Sequence, residues 1–182
     1  MPNPPAGVDS LEGSFSAPLH MLAACHRRIA QQCDALQRLL PHLAAHGVDE
    51  QAREAAQNIV RDFNRAARDH LEDEELALFP ALIESMAGSD AVCLRELTQG
   101  LAQEHQLIEA AWRPLRTALG QIAAGEAATL AWNAVEDFVS LCLRHLEREK
   151  AELLPMAARL LTDADITRLG RAMREQRGIK PP

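Results

Sequence analysis

Four stretches of this chain place apolar residues at alternating steps of three and four, the spacing that lines up one face of a helix. The first carries Leu19, Leu22, His26, Ile29, Cys33, Leu36 and Leu40, and the second Ala56, Ile59, Phe63, Ala66, His70 and Glu74. The third runs through Leu94, Leu97, Leu101, His105, Ile108, Trp112, Leu115, Leu119 and Ile122; the fourth through Val135, Phe138, Cys142, His145 and Glu149. Every stripe contains a histidine, and two contain a glutamate, at positions that the pattern reserves for the core.

Punctuation between the stripes sets the element boundaries. Helix A is predicted from about Pro18, which suits a first turn, to Ala45, stopping at Gly47. Asp49 is the expected N-cap of helix B, which runs through His70 towards Leu78. Pro80 should kink or end it, leaving a short segment to Met86 before a break at Gly88. Ser89 or Asp90 should cap helix C, which continues to Ala124 with a bend at Pro114; helix D follows Gly125 over about Ala127 to Glu152, before Pro155. Thr162-Asp163 reads as the cap of a last short helix ending near Gly178. The expected fold is all-α: an antiparallel up-down-up-down four-helix bundle over 18–160, an N-terminal tail over 1–17 that is loose or laid on the surface as a loop, and a short C-terminal helix and tail over 161–182.

Composition agrees and excludes several classes. The chain has 182 residues, 47% of them hydrophobic, only 3% aromatic and no Tyr, which favours helices over sheets in one domain-sized core. A net charge of −7 argues against general affinity for nucleic acid or anionic membranes. No apolar run reaches membrane-spanning length, and no basic segment followed by an apolar one opens the chain. Cys25, Cys33, Cys93 and Cys142 form no CxxC pair and read as free thiols in a reducing, cytoplasmic setting.

The candidate chemistry lies in a repeat. His70-Leu71-Glu72-Asp73-Glu74 leads to Leu78-Phe79-Pro80, and His145-Leu146-Glu147-Arg148-Glu149 leads to Leu153-Leu154-Pro155. A His and a Glu four apart share a helix face. A lone histidine, His26 or His105, precedes each pair at a similar distance. One core imidazole is ordinary. Four of them with two buried carboxylates would consume much of a total stability of about 5–15 kcal/mol unless a cation neutralised the charge. Only Glu74 and Glu149 are both repeated and turned inward; Asp69, Asp73 and Glu75 read as a solvated acidic face that could support the site from outside, and Glu72 points away.

Imidazole and carboxylate donors suit iron, manganese or zinc better than calcium or magnesium, and the spacing is not that of a closed structural zinc site. Two octahedral ions need about twelve bonds. Four histidines and two bridging glutamates provide eight, a bridging oxo or hydroxo group adds two, and two positions remain open. Glu109, one turn after His105, is a candidate seventh ligand, with an exposed seam-edge glutamate as the equally weighted alternative. Neither Glu-x-x-His nor HExxH occurs.

The ordered set His26, His70-xxx-Glu74, His105 and His145-xxx-Glu149, with its Leu-Phe-Pro and Leu-Leu-Pro followers, resembles the hemerythrin-like (HHE cation-binding) family over about Leu19 to Met156. The resemblance implies a non-haem di-iron centre with terminal histidines and with Glu74 and Glu149 bridging. Oxygen carriers of that family bear two histidines four apart on the third helix. Here the second position is Glu109, and an acid there favours ferric iron, which argues against a plain oxygen carrier. Bacterial members are associated with sensing oxygen, nitric oxide or redox state and with iron handling. No signalling or redox domain is expected on this chain, so a sensor would need a separate partner protein.

The leading expectation is therefore a di-iron protein that binds or senses a small diatomic ligand, or that handles iron. A di-iron oxidoreductase (oxidase, peroxidase-like or nitric-oxide-reducing) is the second, and a zinc-loaded or empty scaffold the third. Trp112 and Trp132 read as packing residues, Cys142 as part of the wall around the site, and Arg168, Arg171, Arg174 and Arg177 as a solvated face.

Overall fold

The structure is a computed structural model that describes residues 15–86 and 90–180. It is helical, with no strand among the described residues. Helix α1 spans Pro18–His46 and ends at Gly47, whose φ of 68° and N–H bond to the Leu43 carbonyl close the last turn. A second rod consists of α2 (Glu50–Asp62), α3 (Arg68–Asp73) and α4 (Phe79–Ser85), joined by π turns at Phe63–Ala67 and Glu74–Leu78. Helix α5 (Asp90–Ala123) forms the third rod. The fourth is α6 (Trp132–Arg148) and α7 (Leu154–Leu160), joined by a π turn at Glu149–Leu153. Helix α8 (Asp163–Gln176) follows, opened by a reciprocal Thr162–Asp165 capping box. Helix α1 packs against α2 and α6, and α5 packs against the same two, while α4 of the second rod also touches α7 of the fourth.

At Pro80 and Pro155, where the sequence predicts a kink or an end, the structure has a π turn followed by a new α-helical segment. Pro80 and Pro155 lack an N–H, and their rings crowd the carbonyl four residues back. In both rods the preceding turn widens instead: Phe79 N–H donates to the Glu74 carbonyl and Leu154 N–H to the Glu149 carbonyl, five residues back. Both rods therefore stay helical through the proline, and each of these two π turns starts on a glutamate of the repeat. Pro114 lies inside α5, which runs on without interruption. The expected break at Gly88 and cap at Ser89 fall outside the described residues. Helix α6 starts at Trp132 rather than near Ala127, because burial of Leu130 in the core holds the preceding segment extended.

The stripes face inward as the spacing requires; only Leu19, Ala66 and Ile108 of the seam are less than fully buried. The core divides into two apolar clusters. One gathers Ile29, Cys33, Ile59, Phe63, Trp112, Phe138 and Cys142 among others, and the second Leu22, Leu78, Phe79, Leu101, Leu153, Leu169 and Met173. On all four rods the histidines and glutamates of the repeat fall between these clusters, so a polar layer is held between two dry ones.

Three expectations need correction here. Phe15, assigned to a loose tail, is buried: the Arg174 and Arg177 guanidinium groups each lie 5.5 Å from its ring, and its carbonyl lies against Gly170 of α8. Those two arginines are therefore packed rather than solvated, and Arg177 also reaches Asp73. Trp132 is 56% exposed and donates to Glu136 on the surface, whereas Trp112 is buried against Phe63 and Phe138.

Candidate metal centre

The polar layer brings His26, His70, Glu74, His105, His145 and Glu149 together, every one of them buried. They form two overlapping groups: His26, His70, Glu74 and Glu149, and Glu74, His105, His145 and Glu149; within each, one donor atom per residue lies within 4.8 Å of all the others. Helix α1 contributes one member, the second rod two, α5 one and the fourth rod two.

The carboxylates divide their oxygens between the groups. Glu149 Oε2 lies 3.0 Å from His26 Nε2 and 3.5 Å from His70 Nε2, while its Oε1 lies 2.7 Å from His145 Nε2 and 3.7 Å from His105 Nε2. Glu74 Oε1 lies 3.8 Å from His70 Nε2, and its Oε2 lies 3.4 Å from His105 Nε2. None of these four Nε2 atoms or four oxygens has a partner in hydrogen-bonding geometry. Buried polar atoms are ordinarily satisfied, so eight orphans converging on one layer fit donors aimed at a cation. Ligand bonds of about 2.0–2.2 Å from nitrogen and oxygen agree with that spacing.

Electrostatics point the same way. Burial and the neighbouring Glu149 push the Glu74 carboxyl well above its ordinary value. Burial also acts upward on Glu149, but the four imidazoles around it outweigh this and hold its carboxyl well below. Burial lowers the His70 pKa; for His145 burial is overcome by Glu149 and Glu104, which raise it. Two carboxylates this close ionise together only when positive charge sits between them.

A model of the Hemerythrin HHE cation binding domain matches residues 17–157. The chain belongs to that hemerythrin family. A protein of Haemophilus influenzae, described as uncharacterized, is 28% identical over 167 residues, covering 92% of this chain and 94% of that one. The family is one of cation-binding domains, and the six converging side chains of this member are candidate metal ligands.

Glu109 is not among them. Its side chain is 57% exposed and faces Arg113, in keeping with a seam-edge glutamate at a helix position that turns away from the layer. The acids that do meet the site lie behind it. His105 Nδ1 donates to Glu75 Oε1 at 2.6 Å, and His145 Nδ1 donates to Glu104 Oε2 at 2.8 Å; Arg148 donates to the other Glu104 oxygen at 2.6 Å. The bonds from His145 and Arg148 outweigh burial and lower the Glu104 pKa. The sequence allows Glu75 this supporting role from the acidic face but gives no sign of Glu104. The signal for Glu104 was its place on α5 opposite the second His-xxx-Glu pair, which only the pairing of helices reveals. Asp73, read as solvated, is buried, and Arg177 provides the counter-charge. Cys142 lines the adjoining cluster, where hydrogen bonding to the Cys33 thiol and burial raise its pKa.

Proposed function

We propose that this hemerythrin-family protein holds two iron ions in the polar layer and uses them to bind or sense a small ligand such as oxygen or nitric oxide, or to handle iron. The observation that carries the reading is the division of oxygens. Glu149 and Glu74 each direct one oxygen to the His26/His70 side and the other to the His105/His145 side. Bridging carboxylates between two ions require that arrangement, and a single ion does not. Each position then has two imidazoles and two carboxylate oxygens, and octahedral ions would keep coordination sites free for a bridge and a small ligand. Bound there, an iron pair supplies Lewis acidity and one electron per ion. Manganese and zinc suit the same donors and are the alternatives that metal analysis excludes or selects.

The chain's own groups favour binding over processing of a large substrate. Leu22, Leu78, Leu101 and Leu153, all fully buried, cover the layer on one side, and Cys142 and Phe138 on the other. Such a lining keeps water scarce, strengthens electrostatic interactions and admits only small molecules. A surface groove of about 850 Å³ has Glu75 and His105 in its lining together with Arg68, Gln106 and Trp112. It brings solvent to the outer edge of the layer. The four rods are taken to alternate in direction, as their short connections suggest, which sets the two His-xxx-Glu segments on facing rods. Four free thiols suit a reducing compartment such as the cytoplasm.

Elemental analysis of protein expressed in iron-supplied medium tests the reading: two irons per chain are expected, with near-ultraviolet absorption after oxidation. One equivalent, or none under any loading condition, overturns it. Stopped-flow mixing of the reduced, loaded protein with oxygen or nitric oxide then separates a reversible adduct from turnover, which would favour an oxidoreductase.

A further inference from the structure

We propose that the two ion positions are unequal: the His105/His145 position takes the first ion and holds it more tightly, because Glu75 and Glu104 stand behind both of its imidazoles. The inference rests on the two-ion reading above.

The asymmetry is not in the inner donors, which are two imidazoles and two carboxylate oxygens on either side. It is in what the other ring nitrogen touches. His105 Nδ1 donates to Glu75 at 2.6 Å and His145 Nδ1 to Glu104 at 2.8 Å. Each bond fixes the tautomer that leaves Nε2 unprotonated, locks the ring and makes Nε2 a stronger donor. Arg148 clamps Glu104 from behind at 2.6 Å, so that carboxylate is itself held in place.

On the opposite side neither imidazole has such support. His70 Nδ1 is buried and without a partner, and among the described residues the acid paired with His26 is Glu149, on the ion side at Nε2. The buried acids Asp62 and Asp73 give their oxygens to Arg28 and Arg177 instead. For His70 to offer Nε2 to an ion, its proton must sit on Nδ1 in a dry pocket, where an unmet N–H is costly. His26 and His70 therefore form the weaker position. Second-layer carboxylates of this kind change metal affinity by about 10–100-fold.

The test uses the full chain, stripped of metal and titrated anaerobically with cobalt(II), which stands in for ferrous iron and reports its ligands through visible absorption, with calorimetry in parallel. Two resolved steps are expected for the unmodified protein. Glu75→Gln and Glu104→Gln keep an acceptor oxygen for Nδ1–H but remove its charge. Each should weaken the tighter step by about tenfold or more and leave the weaker one in place. His70→Ala should abolish the weaker step and spare the tighter, an assignment that holds even if a glutamine variant fails to fold. Steps of equal affinity, loss of the weaker step in the glutamine variants, or loss of the tighter step in His70→Ala overturns the proposal. Uptake of fewer than two cobalt ions by the unmodified protein overturns the two-ion reading itself.

Discussion

The two copies of the His-xxx-Glu segment share a backbone and differ in what their unrepeated residues hold. In both, a glutamate starts a π turn and a proline follows the restart of the helix. Yet Asp73 of the first copy corresponds to Arg148 of the second, and Glu75 to Lys150. Asp73 is buried and paired with Arg177, tying the first copy to α8. Arg148 is one-third exposed and reaches Glu104 on α5. Glu75 backs His105, while Lys150 lies on the surface beside Glu147. The repeated residues thus supply the same donor types to one layer, and the unrepeated ones fasten it to different parts of the fold.

The largest effect should come from treating the two glutamates as equivalents and finding that they are not. Glu149 approaches all four imidazoles within 3.7 Å, whereas Glu74 approaches only His70 and His105. If the layer holds two ions as proposed, Glu149→Ala should lose both on desalting, and Glu74→Ala should keep one. Removing a buried carboxylate relieves a desolvation cost, so helix content of either metal-free variant should be unchanged by circular dichroism. Equal metal loss in the two variants would contradict the difference in their contacts.

Next in size is the contrast between Arg177 and Arg148. Arg177→Ala leaves Asp73, 1% exposed, without its counter-charge and strips one guanidinium from Phe15. A loss of about 3 kcal/mol in urea unfolding is expected, the low end for breaking a buried pair. Arg148→Ala breaks a pair whose members are 33% and 30% exposed. Water can replace it, so the loss should stay within about 1 kcal/mol. Similar losses would mean that the first copy is not more firmly anchored than the second.

How much of this could be read from the sequence follows the same division. The stripes and the repeat placed His26, His70, Glu74, His105, His145 and Glu149 in one layer, because helix periodicity fixes which residues face inward. Periodicity says nothing about neighbours across a helix interface. Glu104 and Glu75 gain their role only when α5 lies beside the two segments, and Asp73 becomes buried only when α8 docks over it. Glu109 shows the converse: one turn from His105 is the right spacing for a shared face, but its side chain lies on the outer edge of the α5 seam and faces Arg113. The α-helix rule predicts a kink or an end at Pro80 because it leaves out the π turn that accommodates the ring.

The docking of α8 can be sharpened at one glycine. A Cβ at Gly170 would sit 2.0 Å from the Phe15 carbonyl oxygen, so backbone must move to accept Gly170→Ala. Alanine's better helix propensity, about 1 kcal/mol, opposes that clash. The expected net loss is about 1–3 kcal/mol, as for an overpacked core. Gly120→Ala is the control: nothing lies within 4 Å of its added Cβ, and it should gain about 0.5–1 kcal/mol. A gain at both positions would show that Phe15 does not hold α8.

The smallest effect belongs to the start of α8, and pH gives its sign. Thr162 donates to the Asp165 carboxylate through its hydroxyl at 2.6 Å and its backbone N–H at 2.9 Å, and these bonds hold the Asp165 carboxyl below its ordinary value. A lowered folded-state pKa means that the ionised form favours the folded chain. That contribution is fully present above the unfolded value of about 3.9 and is lost as pH falls through the lower folded value. Asp165→Asn keeps an acceptor but not the charge. The stability gap between the variant and the unmodified protein should be small and flat from neutrality to about pH 4, then close on further acidification. Urea unfolding across that range checks it, and a gap that widened in acid would mean that the carboxylate does not stabilise this cap.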